Sequence, residues 1–224
     1  MTKSGLDHVV AIVKAGLSAV PMVGGVIASL IGDYIPDSTS RSVLESLHLL
    51  TERLCALEDR IDIHAVDKEE FSELFKSSYL VLVRAHKAER RRAAVNLIVN
   101  ILLRPDDPDR LSYTELDHFA RSLDVLSIGA LRCAGEVYRG CALPKAGEEE
   151  RLGRLNFKDL AVRLPGYETD LLMGLLGELN AQNIVHLPGV PSIRTKRYGN
   201  YPIERTGLGS RFVARLLAEG ENIS

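Results

Sequence analysis

The stretch from Leu171 to Arg205 constrains the fold more than any other part of the chain. Its first part repeats leucine at the three-and-four spacing of one helical face, whose members are Leu171, Leu172, Leu175, Leu176 and Leu179. Asn180 and Asn183 follow, and asparagine tolerates the left-handed conformation in which many helices end. A short apolar run and a turn-rich segment then lead to Tyr201–Thr206, which has the alternating pattern of a strand. The pattern predicts a helix, a tight stop and a two-stranded wing.

Neighbouring segments extend this pattern into a domain. Helices are predicted at Ile128–Tyr138 and Phe157–Leu164, and Thr206-Gly-Leu-Gly209 opens a final helix. Together with Leu175–Leu179 and the apolar run that follows, these segments resemble a winged helix-turn-helix over about residues 125–217. The resemblance implies a domain that usually binds nucleic acid and sometimes binds a protein. The chain departs from the usual pattern at Asn183, where winged-helix proteins commonly carry glycine.

The charges of this region indicate which part of it could meet a phosphate. The predicted recognition helix, about Glu168–Gln182, contains three carboxylates and no Lys or Arg. Since the whole chain has a formal net charge of −2, a nucleic-acid surface must be a local basic patch. The candidate residues for that patch are Lys158, Arg163, Arg194, Lys196, Arg197, Arg205 and Arg211. A basic wing beside an acidic helix predicts sequence-tolerant nucleic-acid contact or a protein partner.

The N-terminal half carries a heptad seam, meaning apolar residues that alternate at intervals of four and three. Its members are Val43, Leu47, Leu50, Leu54, Leu57 and Ile61. Such a seam serves an intramolecular helical bundle or a coiled coil between two chains. Because the seam is narrow, a homodimer is the predicted assembly, with the internal bundle as the alternative.

Residues 15–32 form a run of eighteen residues without a charge, interrupted by Pro21 and the pair Gly24-Gly25. Two short helices that pack as a buried hairpin explain this run, and a segment that inserts into a membrane is the alternative. The apolar residues that would enter a membrane are Leu17, Val20, Val23, Val26, Ile27 and Leu30. Pro21–Gly25 followed by the heptad seam is similar to helical segments of uncharacterised bacterial proteins, some suspected of roles in phage abortive infection.

The domain boundary is predicted at residues 104–110, where two prolines and three aspartates suggest a linker. This divides the chain into a helical bundle, residues 1–104, and a winged-helix domain, residues 111–224. Lys68–Leu103 is predicted as one long helix, and Ser112 with Glu115 predicts a capping box. The expected fold is therefore mainly α, with an N-terminal helical bundle and a C-terminal winged helix-turn-helix whose wing is the only β-structure.

No catalytic constellation is evident in the sequence. The six histidines are isolated, and neither HExxH, CxxC nor a phosphate-binding glycine motif occurs. Three cysteines without framework spacing indicate thiols in a reducing compartment, which favours a cytoplasmic protein. We therefore expect a non-catalytic binding protein without metal or cofactor, and the alternative is a membrane-active effector that inserts residues 15–32.

Overall fold

A computed structural model describes residues 41–62, 68–85, 87–141, 153–189 and 198–217. In these residues the protein is mainly helical and carries one three-stranded antiparallel sheet. The chain divides into two compact units, with the boundary between Asp124 and Val125. The membrane candidates Leu17, Val20, Val23, Val26, Ile27 and Leu30 lie outside the described residues.

The described part of unit 1, which ends at Asp124, is formed mainly by helices. They are α1 (Arg41–Ala56), α2 (Lys68–Arg84), α3 (Ala88–Ile101) and α4 (Tyr113–Val125, whose last residue falls past the boundary). Helix α3 packs against both α1 and α2, and its side chains Leu97 and Ile98 are fully buried. The sequence predicted a single helix over Lys68–Leu103, but the chain turns between Arg84 and Ala88. The turn lets the apolar faces of α2 and α3 bury each other, which a straight helix cannot do.

The heptad seam lies inside this unit. Leu47, Leu50 and Leu54 each have 0% of their surface exposed, Ile61 has 3%, and Leu57 is half-buried. The side chain of Val43 is outside the described part of α1. The buried leucines face α3 within a single chain, so a second copy cannot contact them without displacing that packing. The structure therefore places Leu47, Leu50, Leu54 and Ile61 in the core of this unit, as the internal-bundle alternative expects, and the homodimer stays a prediction.

The segment 104–110 is part of unit 1 and not a free linker. The Arg60 guanidinium donates hydrogen bonds to the Asp107 carboxylate over 2.8 and 2.6 Å, and to the Asp109 carboxylate over 2.7 Å. The Asn100 amide donates to the Asp109 carbonyl (2.8 Å) and accepts from the Leu111 N–H (2.9 Å). These bonds fix the segment within unit 1, and the boundary between the units falls one residue before the end of α4.

The start of α4 confirms the predicted capping box. The Ser112 N–H donates to the Glu115 carboxylate over 3.1 Å, and the Glu115 N–H donates to the Ser112 hydroxyl over 3.3 Å. The two residues thereby satisfy backbone donors that a helix start leaves without partners.

The described part of unit 2 combines helices with short strands. Its elements are α5 (Ile128–Gly140), β1 (Arg154–Asn156), α6 (Phe157–Arg163), α7 (Thr169–Ala181), β2 (Val185–His186), β3 (Pro202–Arg205) and α8 (Gly207–Phe212), followed by a π-helical turn (Val213–Leu217). The last strand, β3, lies between β1 and β2 and is antiparallel to both. Ile203 of β3 is paired with Leu155 of β1, and both are buried in the core of this unit.

The predicted stop after α7 is confirmed at Asn183, whose φ of 54° lies in the left-handed region. Thr206 then joins this stop to the start of α8. Its hydroxyl donates to the Asn183 carbonyl (2.6 Å) and accepts from the Gly209 N–H (2.8 Å). The Tyr138 hydroxyl donates to the Ile184 carbonyl over 2.6 Å, which fixes α5 to the same place.

Candidate nucleic-acid interface

The side chain of Tyr201 joins the two ends of the connection between β2 and β3. The Tyr201 hydroxyl donates a hydrogen bond to the carbonyl of Gly189 over 2.7 Å. Gly189 has a φ of +77°, a conformation that favours glycine because it has no Cβ. We call residues 189–201 the wing and the Tyr201–Gly189 contact its neck.

The wing is also bound to the start of α6, at a contact that we call the wing root. The Tyr198 side chain is buried, and its ring lies 5.7 Å from the ring of Phe157, centroid to centroid, at 53°. The Phe157 N–H donates to the Tyr201 carbonyl over 2.9 Å, and the Lys158 N–H donates to the Gly199 carbonyl over 3.0 Å. The Lys158 side chain itself is exposed. The root thus places one predicted basic residue, Lys158, next to Gly199.

Three predicted basic residues, Arg194, Lys196 and Arg197, lie in the wing sequence but outside the described residues. Residues 189–201 contain these three cations and no carboxylate. Arg197 immediately precedes Tyr198 in the chain, and Tyr198 is buried at the wing root. One covalent neighbour of the basic run is therefore fixed against α6.

Arg163 and Arg205 belong to a different group, around the end of α5. The Arg205 guanidinium lies 4.7 Å above the centre of the Tyr138 ring and donates to the Ser210 hydroxyl over 3.3 Å. An Arg163 nitrogen lies 3.8 Å from the Glu136 carboxylate. These partners are intramolecular, so both arginines have a packing role that the sequence did not reveal. Arg211 is exposed on α8.

The outward face of α7 consists mainly of small residues and carries no cation. Asp170, Gly174, Gly177 and Ala181 are exposed, and a Cβ placed on either glycine would meet no neighbouring atom within 4 Å. Leu171 is 52% exposed beside them. Side chains that read base edges are mostly Arg, Lys, Asn and Gln, and this face offers none of them.

Glu178 of α7 has a structural contact that sequence reasoning missed. Its carboxylate accepts hydrogen bonds from the N–H and the hydroxyl of Ser127, the residue that caps α5. A carboxylate in the first turn of a helix complements the helix dipole, but Glu178 lies near the other end of α7. The contact joins positions that are 51 residues apart, and no local pattern predicts such a pair.

The two buried cysteines, Cys133 and Cys141, do not resemble activated thiols. Burial, with smaller contributions from the carboxylates of Glu136 and Glu178, raises the pKa of the Cys133 thiol to about 12. Burial also raises the pKa of Cys141, and the nearby Arg205 and Arg163 only partly oppose it. A reactive cysteine needs the opposite shift, toward the thiolate at neutral pH.

The described part of the chain lacks two further features. Within these residues no group of three or more His, Cys, Asp or Glu side chains could hold a metal ion. Nor does any helix there have the length and apolar character needed to cross a membrane. Comparisons of this chain with models of known protein families, with curated proteins and with solved structures find no match to any of them.

Proposed function

We propose that unit 2 is a winged helix and that the protein is a non-catalytic binding protein that contacts nucleic acid through its wing. The order helix, strand, two helices and two strands, with the last strand central in the sheet, supports the winged-helix arrangement. This order agrees with the resemblance that the sequence carries in α6, α7 and the start of α8.

The observation that carries the proposal is the wing root. The hydrogen bond from the Lys158 N–H to the Gly199 carbonyl places this exposed residue next to the wing root. The wing sequence supplies three more cations, Arg194, Lys196 and Arg197, which we propose extend this basic surface. Lysine and arginine contacts to phosphate supply most of the affinity of sequence-independent binding.

The contact is proposed to be tolerant of sequence. Direct reading of bases requires donors and acceptors on a helix or ribbon in the major groove. The outward face of α7 offers glycine, alanine, Asp170 and a half-exposed Leu171, so a groove would meet no cation on this helix. We therefore expect unrelated duplexes of equal length to bind with similar affinity.

Fluorescence anisotropy with two unrelated duplexes tests this function. The test variant changes Arg194, Lys196 and Arg197 to Ala. The matched control removes the same charge from unit 1 by changing Lys76, Arg84 and Arg121 to Ala, since all three side chains are exposed. We expect the wing variant to lose about tenfold or more in affinity at low salt, and the control to retain wild-type affinity.

Two results would redirect the proposal. If the wild-type protein binds neither duplex at low salt, the winged helix has a protein partner instead, and the exposed Leu171 on α7 is then the first residue to test. If the wing variant and the unit 1 control lose affinity equally, the binding reflects net charge and not the wing.

The membrane-active alternative rests on the uncharged run 15–32, which lies outside the described residues. Flotation with liposomes separates it from the proposed function, using the wild type and a Leu30→Asp variant. Flotation of the wild type that Leu30→Asp abolishes would favour membrane insertion. A wild-type protein that stays in the dense fraction would remove that alternative.

A further inference from the structure

Two large apolar side chains are exposed at the turn between α6 and α7. Val162, in the last turn of α6, is 79% exposed, and Leu171, in the first turn of α7, is 52% exposed. The chain between the helices is short, and the Tyr167 N–H donates to the Leu164 carbonyl within it over 3.1 Å. Both side chains therefore lie close to this turn, where a bound partner would remove their apolar surface from water.

The charge on the α7 side of this turn has one sign. Residues 164–183 contain three carboxylates and no Lys, Arg or His. Two of these carboxylates, those of Glu168 and Asp170, belong to exposed residues on either side of Thr169 and close to Leu171. The surface is therefore apolar at its centre and negatively charged around Leu171.

The cations of α6 mark where this surface ends. Arg163 has an intramolecular partner, since one of its nitrogens lies 3.8 Å from the Glu136 carboxylate. Lys158 is exposed one helical turn before Val162, towards the wing root. A ligand at the turn and a nucleic acid at the wing root would therefore use different residues.

The sign of the charge also decides between occupants. Phosphate groups would meet two carboxylates there, which disfavours nucleic acid and anionic lipid. Two copies of the chain related by a two-fold axis would bring carboxylates of the same sign together, which disfavours a dimer through this surface. A partner whose Lys or Arg side chains lie beside apolar ones has the complementary charge and polarity.

We propose that Val162, Glu168, Asp170 and Leu171 form a docking face for a basic amphipathic segment of a protein partner. Apolar side chains of the segment cover Val162 and Leu171, and its cations lie against the two carboxylates. The occupant differs from the nucleic acid proposed for the wing, and neither contact requires the other.

Two labelled model peptides of equal length test the docking face by fluorescence anisotropy. One is an amphipathic helix of Leu and Lys, and the other carries Glu in place of every Lys. The test variants are Leu171→Asn and the double change of Glu168→Gln with Asp170→Asn. Their matched controls lie in unit 1. They are Leu80→Asn, at a leucine that is 51% exposed, and the double change of Asp59→Asn with Asp106→Asn, at two exposed residues.

We expect the wild type to bind the Leu/Lys peptide about tenfold or more tightly than the Leu/Glu peptide at low salt. Leu171→Asn should weaken this binding about fivefold, because the exposed part of the leucine is no longer buried by the peptide. The carboxylate variant should weaken it about two- to tenfold and make it less sensitive to salt. Both controls should match the wild type. Circular dichroism checks folding, and if Leu171→Asn does not fold, the carboxylate variant decides.

Three results would overturn the proposal. The first is equal binding of the two peptides, or test variants that bind like their controls. The second is a wild-type dimer that Leu171→Asn dissociates in sedimentation, which would give the docking face to a second copy of the chain. The third is a loss of duplex affinity in Leu171→Asn that Leu80→Asn does not show, which would give it to nucleic acid.

Discussion

The carboxylate of Glu178 accepts two hydrogen bonds from Ser127, one from its backbone N–H over 2.8 Å and one from its hydroxyl over 3.1 Å. The Ser127 hydroxyl in turn accepts from the Ala130 N–H over 3.1 Å, which caps α5. Helix α7 is thus fixed to the start of α5 by a charged acceptor. This contact gives the Glu178 carboxylate of α7 a structural role.

Glu178→Gln should lower the free energy of unfolding by about 1–2 kcal/mol, because a hydrogen bond to a charged acceptor is replaced by a neutral one at a half-buried site. Urea unfolding monitored by circular dichroism measures the change. Asp170→Asn, an exposed change in the first turn of the same helix, is the control and should cost less. Equal losses for the two variants would contradict the structural role of Glu178.

Gly209→Ala should destabilise the protein by about 3 kcal/mol or more, because a Cβ at this position would overlap the Ile184 carbonyl and the Tyr138 hydroxyl. Gly177→Ala is the matched control on α7, where the added methyl meets open space. That change should stabilise the helix by up to about 1 kcal/mol. Thermal unfolding of both variants checks the prediction, and a Gly209→Ala protein as stable as the wild type would contradict it.

Asp107→Asn should reduce the acid sensitivity of unit 1. Hydrogen bonds from Arg60 hold the pKa of the Asp107 carboxyl below its ordinary value of 3.8 in the folded protein. A carboxyl with a lowered pKa stabilises the fold above its unfolded pKa, and this contribution is lost as pH falls through the folded value. We therefore expect Asp107→Asn to be less stable than the wild type at pH 7 by about 2 kcal/mol. The difference should shrink below about pH 4 in urea unfolding, and a constant difference would contradict the assignment.

Leu54→Ala should cost about 2–5 kcal/mol, since the side chain is fully buried in the bundle. Sedimentation should show the same oligomeric state for the folded fractions of the variant and the wild type. A Leu54→Ala protein that keeps its thermal stability but dissociates from a dimer to a monomer would instead return the heptad seam to an interface between chains.

Much of unit 2 could be predicted because its signals are local. The helical face of α7, the left-handed Asn183 and the threonine before α8 each depend on residues within a few positions. Strand β1 was missed because three residues are too few to show an alternating pattern. Tyr201 was predicted to be a strand residue. The residue whose carbonyl its hydroxyl binds, Gly189, lies twelve positions earlier in the chain, so no local pattern indicates this contact.

In unit 1 the helices could be predicted but not their packing. The seam spacing is common to internal bundles and to coiled coils, so it could not predict that Leu47, Leu50 and Leu54 are buried within a single chain. The segment 104–110 has the composition of a linker, yet its carboxylates are bound by Arg60, 47 residues before Asp107. The turn between α2 and α3 lacks glycine and proline, so no local signal marked it.

The salt dependence of duplex binding tests the central claim most directly. If Lys158, Arg194, Lys196 and Arg197 neutralise about four phosphates, the slope of log K against log salt should be about −3.6 for the wild type. Changing Arg194, Lys196 and Arg197 to Ala should bring the slope close to −1, with Lys158 as the remaining contact. A slope that the wing substitutions leave unchanged, or a wild-type protein without affinity for DNA at low salt, would contradict the account.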